Sequence, residues 1–301
     1  MGVILFVACF WSTTPPFSFP SSSVITVPEG AGLYTLSEKL REDKVIRFPF
    51  WFRVAAIALG GERDMKAGPY YMSRPQNTFV IAWRVLYGHH DIETIKVTIP
   101  EGFTVNKITK LFDDRFAFFD NASFASSASE GYLFPDTYFI PVTATASSTL
   151  KLFRDNFNRK ISQVLPEIKA SDRTLEDIIT MASIIESEAQ SKADREIVSS
   201  ILWKRIDLDI PLQVDASFIY VNGKTTEELT ASDLKIDSPF NTYIYRGLPP
   251  TPISNPGLES IEAALRPTTT PYLYFLTGKD GTMHYSRTFD EHVEKKFKYL
   301  N

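Results

Sequence analysis

The stretch TLEDIITMASIIESEAQ, residues 174–190, decides how the second half of the chain is built. Thr174-Leu175-Glu176-Asp177 carries the S/T-x-x-D signature of a helix N-terminus. At about 100° per residue, Leu175, Ile179 and Ala182 fall on one stripe, with Ile178, Ile185 and Ala189 alongside. Glu186 projects between Leu175 and Ile179, while Glu188 points roughly 160° away. A carboxylate on the apolar side of a helix is unfavourable unless paired, hydrogen-bonded or protonated. Burial among Ile and Ala makes Glu186 the candidate proton donor. The competing reading pairs it with an arginine such as Arg195 or Arg205. Glu188 is expected to be solvated or to support its neighbour.

A second capped helix, Ser191 to about Ile206, follows directly. Leu212-Gln213-Val214-Asp215 then precedes a short helix, Ala216 to Val221, with Asp215 as its expected N-cap and Gln213 free to face a ligand. Ser238-Pro239-Phe240-Asn241-Thr242-Tyr243 reads as a turn rich in hydrogen-bonding groups. Gly247 to Gly257 is a proline-stiffened loop, and Asn255 with Pro256 predicts a helix from Pro256 to Leu265. Tyr272–Thr277 and Thr282–Ser286 flank Gly278-Lys279-Asp280-Gly281 as a hairpin, and Thr288 caps a last helix to about Tyr299.

In the first half, a motif occurs twice. Ile25-Thr26-Val27-Pro28-Glu29-Gly30 is followed by Leu33, Leu36 and Leu40. Val97-Thr98-Ile99-Pro100-Glu101-Gly102 is followed by Val105, Ile108 and Leu111. Each copy predicts a strand, a turn whose glycine adopts a conformation closed to side chains with a Cβ, and a helix. Phe48 to Leu59 predicts a further apolar helix ended by Gly60-Gly61. Strand, glycine turn and spaced leucines resemble a LysM-like module, and a packing module that binds nothing has the same pattern.

Gly2 to Trp11 is apolar but shorter than the roughly 20 residues of a membrane-spanning helix. It reads as the end of a signal-anchor helix, with Cys9 as a weak lipidation candidate. The Pro/Ser-rich stretch that follows reads as a linker. The chain has 301 residues, 32 Lys+Arg, 36 Asp+Glu and one cysteine. That balance argues against nucleic-acid binding, and a single cysteine excludes an intrachain disulfide and a cysteine-based zinc site. The four histidines have no metal-ligand spacing. No catalytic-region helix carries a lysine on an apolar face, which argues against pyridoxal-phosphate chemistry.

Six motifs occur in order: Glu130-Gly131-Tyr132-Leu133-Phe134-Pro135-Asp136-Thr137-Tyr138; Met181 to Glu188; Leu212-Gln213-Val214-Asp215; Asn241-Thr242-Tyr243; Gly247 to Gly257; and Pro271 to Phe275. Together they resemble the endolytic murein transglycosylases of the MltG (YceG-like) family, over nearly everything after Val24. The resemblance implies an α+β chain: anchor and linker over 1–23, a LysM-like subdomain over 24–142, and a mixed α/β catalytic domain over 143–301. It implies cleavage of peptidoglycan glycan strands between N-acetylmuramic acid and N-acetylglucosamine, leaving 1,6-anhydro ends, without metal or cofactor. It also implies a single-pass plasma-membrane protein with its catalytic domain outside the cytoplasm, working beside penicillin-binding proteins or other wall synthases. The first Glu of its E-x-E motif, Glu186, is the expected catalytic residue. Gln213, Asp215, Asn241, Tyr243, Asn255, Glu130, Asp136 and Glu188 are the expected substrate contacts. Ala189 stands where the family often has threonine. A non-catalytic glycan-binding scaffold is the alternative function.

Overall fold

The computed structural model describes residues 11–21, 23–61, 65–112, 115–116, 119–224, 228–230 and 232–300. The apolar run before Trp11, with Cys9, lies outside them. Among the described residues, no helix is long and apolar enough to cross a membrane. The chain packs as two units, residues 1–95 with 141–143, and residues 96–140 with 144–301.

In the first unit, β1 (Ser23–Val27) pairs antiparallel with β2 (Gly68–Met72), Ser23 opposite Met72 and Val27 opposite Gly68. Between them run α1 (Leu33–Glu42) and α2 (Pro49–Ala58). Gly30 has φ +70°, the backbone that the Pro-Glu-Gly turn was expected to need. The helix α3 (Thr78–Tyr87) opens on Asn77, whose side chain accepts the Val80 N–H at 2.9 Å, and stops at Gly88 with φ +70°. Leu36, Leu40, Phe52, Ile81 and Val85 fill the core. Arg84 is buried there because backbone carbonyls of Tyr71, His89 and His90, the Gln76 amide and the Asp91 carboxylate take up its donors.

The chain passes to the second unit within β3 (Thr94–Thr98), which pairs with β4 (Thr137–Pro141). The second copy of the motif thus has its glycine turn and its helix, α4 (Val105–Lys110), in the second unit, and Gly102 again has a positive φ of +74°. After α5 (Asn121–Ser127) come α6 (Ala146–Ile161) and α7 (Leu165–Ala170).

The organising element is α8 (Leu175–Glu188). Its capping box forms as the signature predicts: Thr174 Oγ1 accepts the Asp177 N–H and the Asp177 carboxylate accepts the Thr174 N–H, each at 3.1 Å. Ile178 to Ile185 are all buried, because α9 (Lys192–Asp207), α10 (Ala216–Asn222) and α11 (Leu258–Leu265) pack around α8. Burying each isoleucine there contributes about 1.5–3 kcal/mol. Ser183 is tolerated in this core because it donates to Thr180 O at 2.7 Å and accepts the Ile253 N–H at 3.0 Å. The expected hairpin is present as β5 (Tyr274–Thr277) and β6 (Met283–Ser286), antiparallel, and α12 (Phe289–Leu300) packs against both strands. One boundary differs from expectation. The Asn255-Pro256 helix begins at Leu258 with Gly257 as N-cap, because the Asn255 side chain is engaged elsewhere.

Candidate active site

The two glutamates near the end of α8 have opposite fates. Glu186 is closed in, its side chain 5% exposed. Arg195 donates to one carboxylate oxygen at 2.9 Å, and the Gly257 N–H donates to the other at 2.8 Å. Arg195 also reaches Glu259 at 2.8 Å, and Glu101 lies 3.8 Å away. Burial and the neighbouring Glu186 and Glu259 push Glu101 above the ordinary carboxylate range, against the pull of Arg195. Glu186 thus forms the arginine pairing weighed as the competing reading, with Arg195. It is the buried member of an ion pair, and both its oxygens are occupied.

Glu188 is half-buried. Burial, reinforced by Asp215, raises its carboxyl to about 7, against the opposing hydrogen bond from the Ala216 N–H at the start of α10. It opens onto a cavity of about 570 Å³ whose wall includes Arg205, Gln213, Asp215 and Tyr243. Three residues expected to bind substrate thus meet here at Glu188. Asp215 precedes α10 as predicted, and its carboxylate accepts the Tyr243 hydroxyl at 2.7 Å. Burial and that bond raise the Tyr243 phenol, so it stays a donor. Gln213 is held at φ +52°, its N–H bonded to Thr242 O at 3.0 Å and its side-chain oxygen to Arg205 at 2.6 Å. That side chain is engaged by Arg205, where a ligand-facing group was expected.

Asn241 and Asn255, expected as substrate contacts, have their side-chain amides bonded within the protein. Asn241 is buried, donates to Leu234 O and Ile236 O, and accepts the Tyr243 N–H at 3.0 Å. Asn255 is fully buried: it accepts the Leu133 N–H and donates to Phe103 O and to Glu130, each at 2.8 Å. Glu130 also accepts the Val105 N–H at 3.0 Å. Burial raises Glu130 to about 7 despite these donors. It lines a separate cavity of about 480 Å³ with Tyr132, Glu176 and Tyr220. Gly131, at φ +88°, leaves room for Pro252 and Ile179, which a Cβ would approach to 2.6 and 2.8 Å. Asp136 belongs to neither cavity. Burial opposes its charge, but the Thr137 N–H, Asn156 and Lys160 outweigh that and hold it below its ordinary value.

Sequence reasoning missed His292 and Lys296, which line the Glu188 cavity from α12. Their spacing with Leu300, four residues apart each time, is the signal that marks one helix face. Among the described residues, no group of three or more His, Cys, Asp or Glu side chains could hold a metal.

The model of the YceG-like family matches residues 25–298, so the chain belongs to that family. It is 29% identical to an endolytic murein transglycosylase of Bacillus subtilis, over 92% of this chain and 84% of that protein. It is 26% identical to an endolytic murein transglycosylase of Streptococcus pneumoniae, over 95% of this chain and 60% of that longer protein. A solved structure of a YceG-like protein from Listeria monocytogenes, 30% identical, covers 92% of this chain and all of its own, with a TM-score of 0.59.

Proposed function

We propose that the protein is an endolytic murein transglycosylase that cleaves the β-1,4 bond between N-acetylmuramic acid and N-acetylglucosamine, leaving 1,6-anhydro ends. The observation that carries this reading is Glu188: a carboxyl raised to about 7, open to a cavity beside Asp215 and Tyr243. Such a group is protonated often enough near neutral pH to donate to the glycosidic oxygen as that bond breaks. It then accepts the proton of the muramyl O6 hydroxyl as O6 attacks the anomeric carbon. The nucleophile comes with the substrate, and its intramolecular attack carries a high effective molarity, so no second carboxylate has to activate water. Asp215, held by Tyr243, supplies negative charge beside the oxocarbenium-like centre. Glu186, the residue named first by the sequence motif, holds Arg195 and the start of α11 in place.

Mass spectrometry of the products from purified wall glycan tests this, because anhydro ends lack one water relative to hydrolytic ends. Hydrolytic ends would turn the reading into a two-carboxylate hydrolase using Asp215. The first unit, with its strand, Pro-Glu-Gly turn and helix, supports a LysM-like glycan-holding role. The apolar run and Pro/Ser stretch support a plasma-membrane tether with the body outside the cytoplasm. From there it would terminate nascent strands beside wall synthases such as penicillin-binding proteins. Fractionation of the native gene product tests the tether, which recovery in the soluble cytoplasm would exclude.

A further inference from the structure

The Glu188 cavity has a second end, and its charge is the opposite of the first. Arg205 is only 5% exposed, yet no carboxylate of the described residues lies within ion-pair distance of it. Its bonds go to neutral acceptors, Pro211 O at 3.0 Å and Gln213 at 2.6 Å, and its guanidinium lies 5.4 Å from the centre of the Tyr274 ring. A buried guanidinium left with neutral partners is unfavourable unless an anion completes it. Two α12 residues face the same space, His292 and Lys296, one helical turn apart. The His292 ring stacks on Tyr274, and its Nδ1 is buried without a hydrogen-bond partner. Burial, then Lys296, Arg205 and Lys295, pull the His292 imidazole below its ordinary value, as expected of a ring among cations. Lys295 itself is turned away, donating to Tyr285 O.

We propose that Arg205, His292 and Lys296 form an anion subsite that takes a carboxylate on the peptide branch of the muramyl sugar, so that the enzyme selects glycan still carrying its stems. The inference rests on the transglycosylase reading for the identity of the ligand. The sugar backbone of such a glycan is uncharged, and its carboxylates sit on the branch at the muramyl lactyl group. The two ends of one cavity would then divide the work, Glu188 and Asp215 at the glycosidic bond and the cations at the branch. Arg205 fits the task because its planar fork matches a carboxylate through two parallel hydrogen bonds. Lys296 adds a mobile charge at the exposed rim, where it can follow stems of different length.

The test uses the full chain and compares one glycan preparation with intact stems and the same preparation with its stem carboxylates converted to carboxamides, since an amidase would instead leave a free lactyl carboxylate. Wild type should favour the intact glycan by about tenfold or more in kcat/KM, and Lys296→Gln should erode that preference about tenfold through KM, with Lys296→Arg restoring it. Equal rates on both substrates, or an unchanged preference in Lys296→Gln, would overturn the subsite. A second arm does not need turnover. Calorimetric binding of an N-acetylmuramyl tripeptide to Glu188→Gln should be about tenfold tighter for the free acid than for its carboxamide, and adding Lys296→Gln should abolish the difference. If that difference appears while neither glycan is cleaved, the subsite stands and the lyase reading falls. Equal binding of acid and carboxamide overturns the subsite whatever the turnover shows.

Discussion

Tyr243 and Asp215, 28 positions apart in sequence, meet through a 2.7 Å hydrogen bond from phenol to carboxylate beside Glu188. The bond keeps Asp215 pointed into the cavity, and its charge helps hold the Glu188 proton. Removing the hydroxyl with Tyr243→Phe frees Asp215 to turn. Turnover should drop about tenfold or more, because misplacing a group in an active site by a fraction of an ångström is expensive. Release of glycan ends by folded variant and wild type measures it.

Glu188→Gln keeps the shape of the side chain but cannot shuttle a proton. Turnover should fall about 10²–10⁴-fold while glycan binding persists. The wild-type rate should also decline as pH rises through about 7, since the donor is then deprotonated. A flat profile from pH 6 to 8 would move the proton transfer elsewhere.

Glu186→Gln acts on the fold before it acts on the chemistry. It leaves Arg195 with the more exposed Glu259 and a distant Glu101, which should destabilise the protein by about 3 kcal/mol, readable in a urea titration. The folded fraction should retain more turnover than Glu188→Gln. Full loss in folded Glu186→Gln with activity preserved in Glu188→Gln would reverse the two roles.

Stability should fall between pH 5 and pH 7. Glu130 and Glu188 are both raised to about 7 from an ordinary value of 4.5. Between those values the folded chain binds more protons than the unfolded one, so unfolding becomes easier as pH rises and levels off above about 7. Asp233, depressed to about 2, titrates below this window and does not mask it. Thermal unfolding of Glu130→Gln should show a shallower pH slope than wild type.

Gly131→Ala would place a methyl group within 2.6 Å of Pro252 and 2.8 Å of Ile179, on a backbone at φ +88°. Both the clash and the strain oppose it, and a loss of about 3 kcal/mol is expected. An unchanged midpoint would mean that the 247–257 loop shifts to make room.

Much of the scaffold was legible because it follows local rules. The Thr174–Asp177 capping box, the apolar stripe of α8 and the positive φ of Gly30 and Gly102 each depend on a few neighbouring residues. The site was harder because it depends on which distant segment arrives where. Helical projection separated Glu186 from Glu188, but could not show that Arg195 and Gly257 would close over the first while α10 and Asp215 enclosed the second. Projection alone therefore placed Glu186 inside, but could not show what each carboxylate would meet. Asn255 looked like a helix cap by local grammar, yet Phe103, Glu130 and Leu133 outbid the helix for its amide. His292 and Lys296 looked like an ordinary polar face, and only the docking of α12 against the hairpin turns them toward a cavity.

The bonds of Asn255 also set a timetable. Its partners lie 122, 125 and 152 positions earlier in the chain. Closing loops of that size carries an entropy penalty that local helices do not meet, so these contacts belong to the late, slow part of folding. A chain whose synthesis has stopped before residue 255 can form α8 and its capping box, but not the clasp that seats Gly131 and the Gly102 turn against the following loop. Catalytic competence is thus withheld until nearly the whole polypeptide is in place.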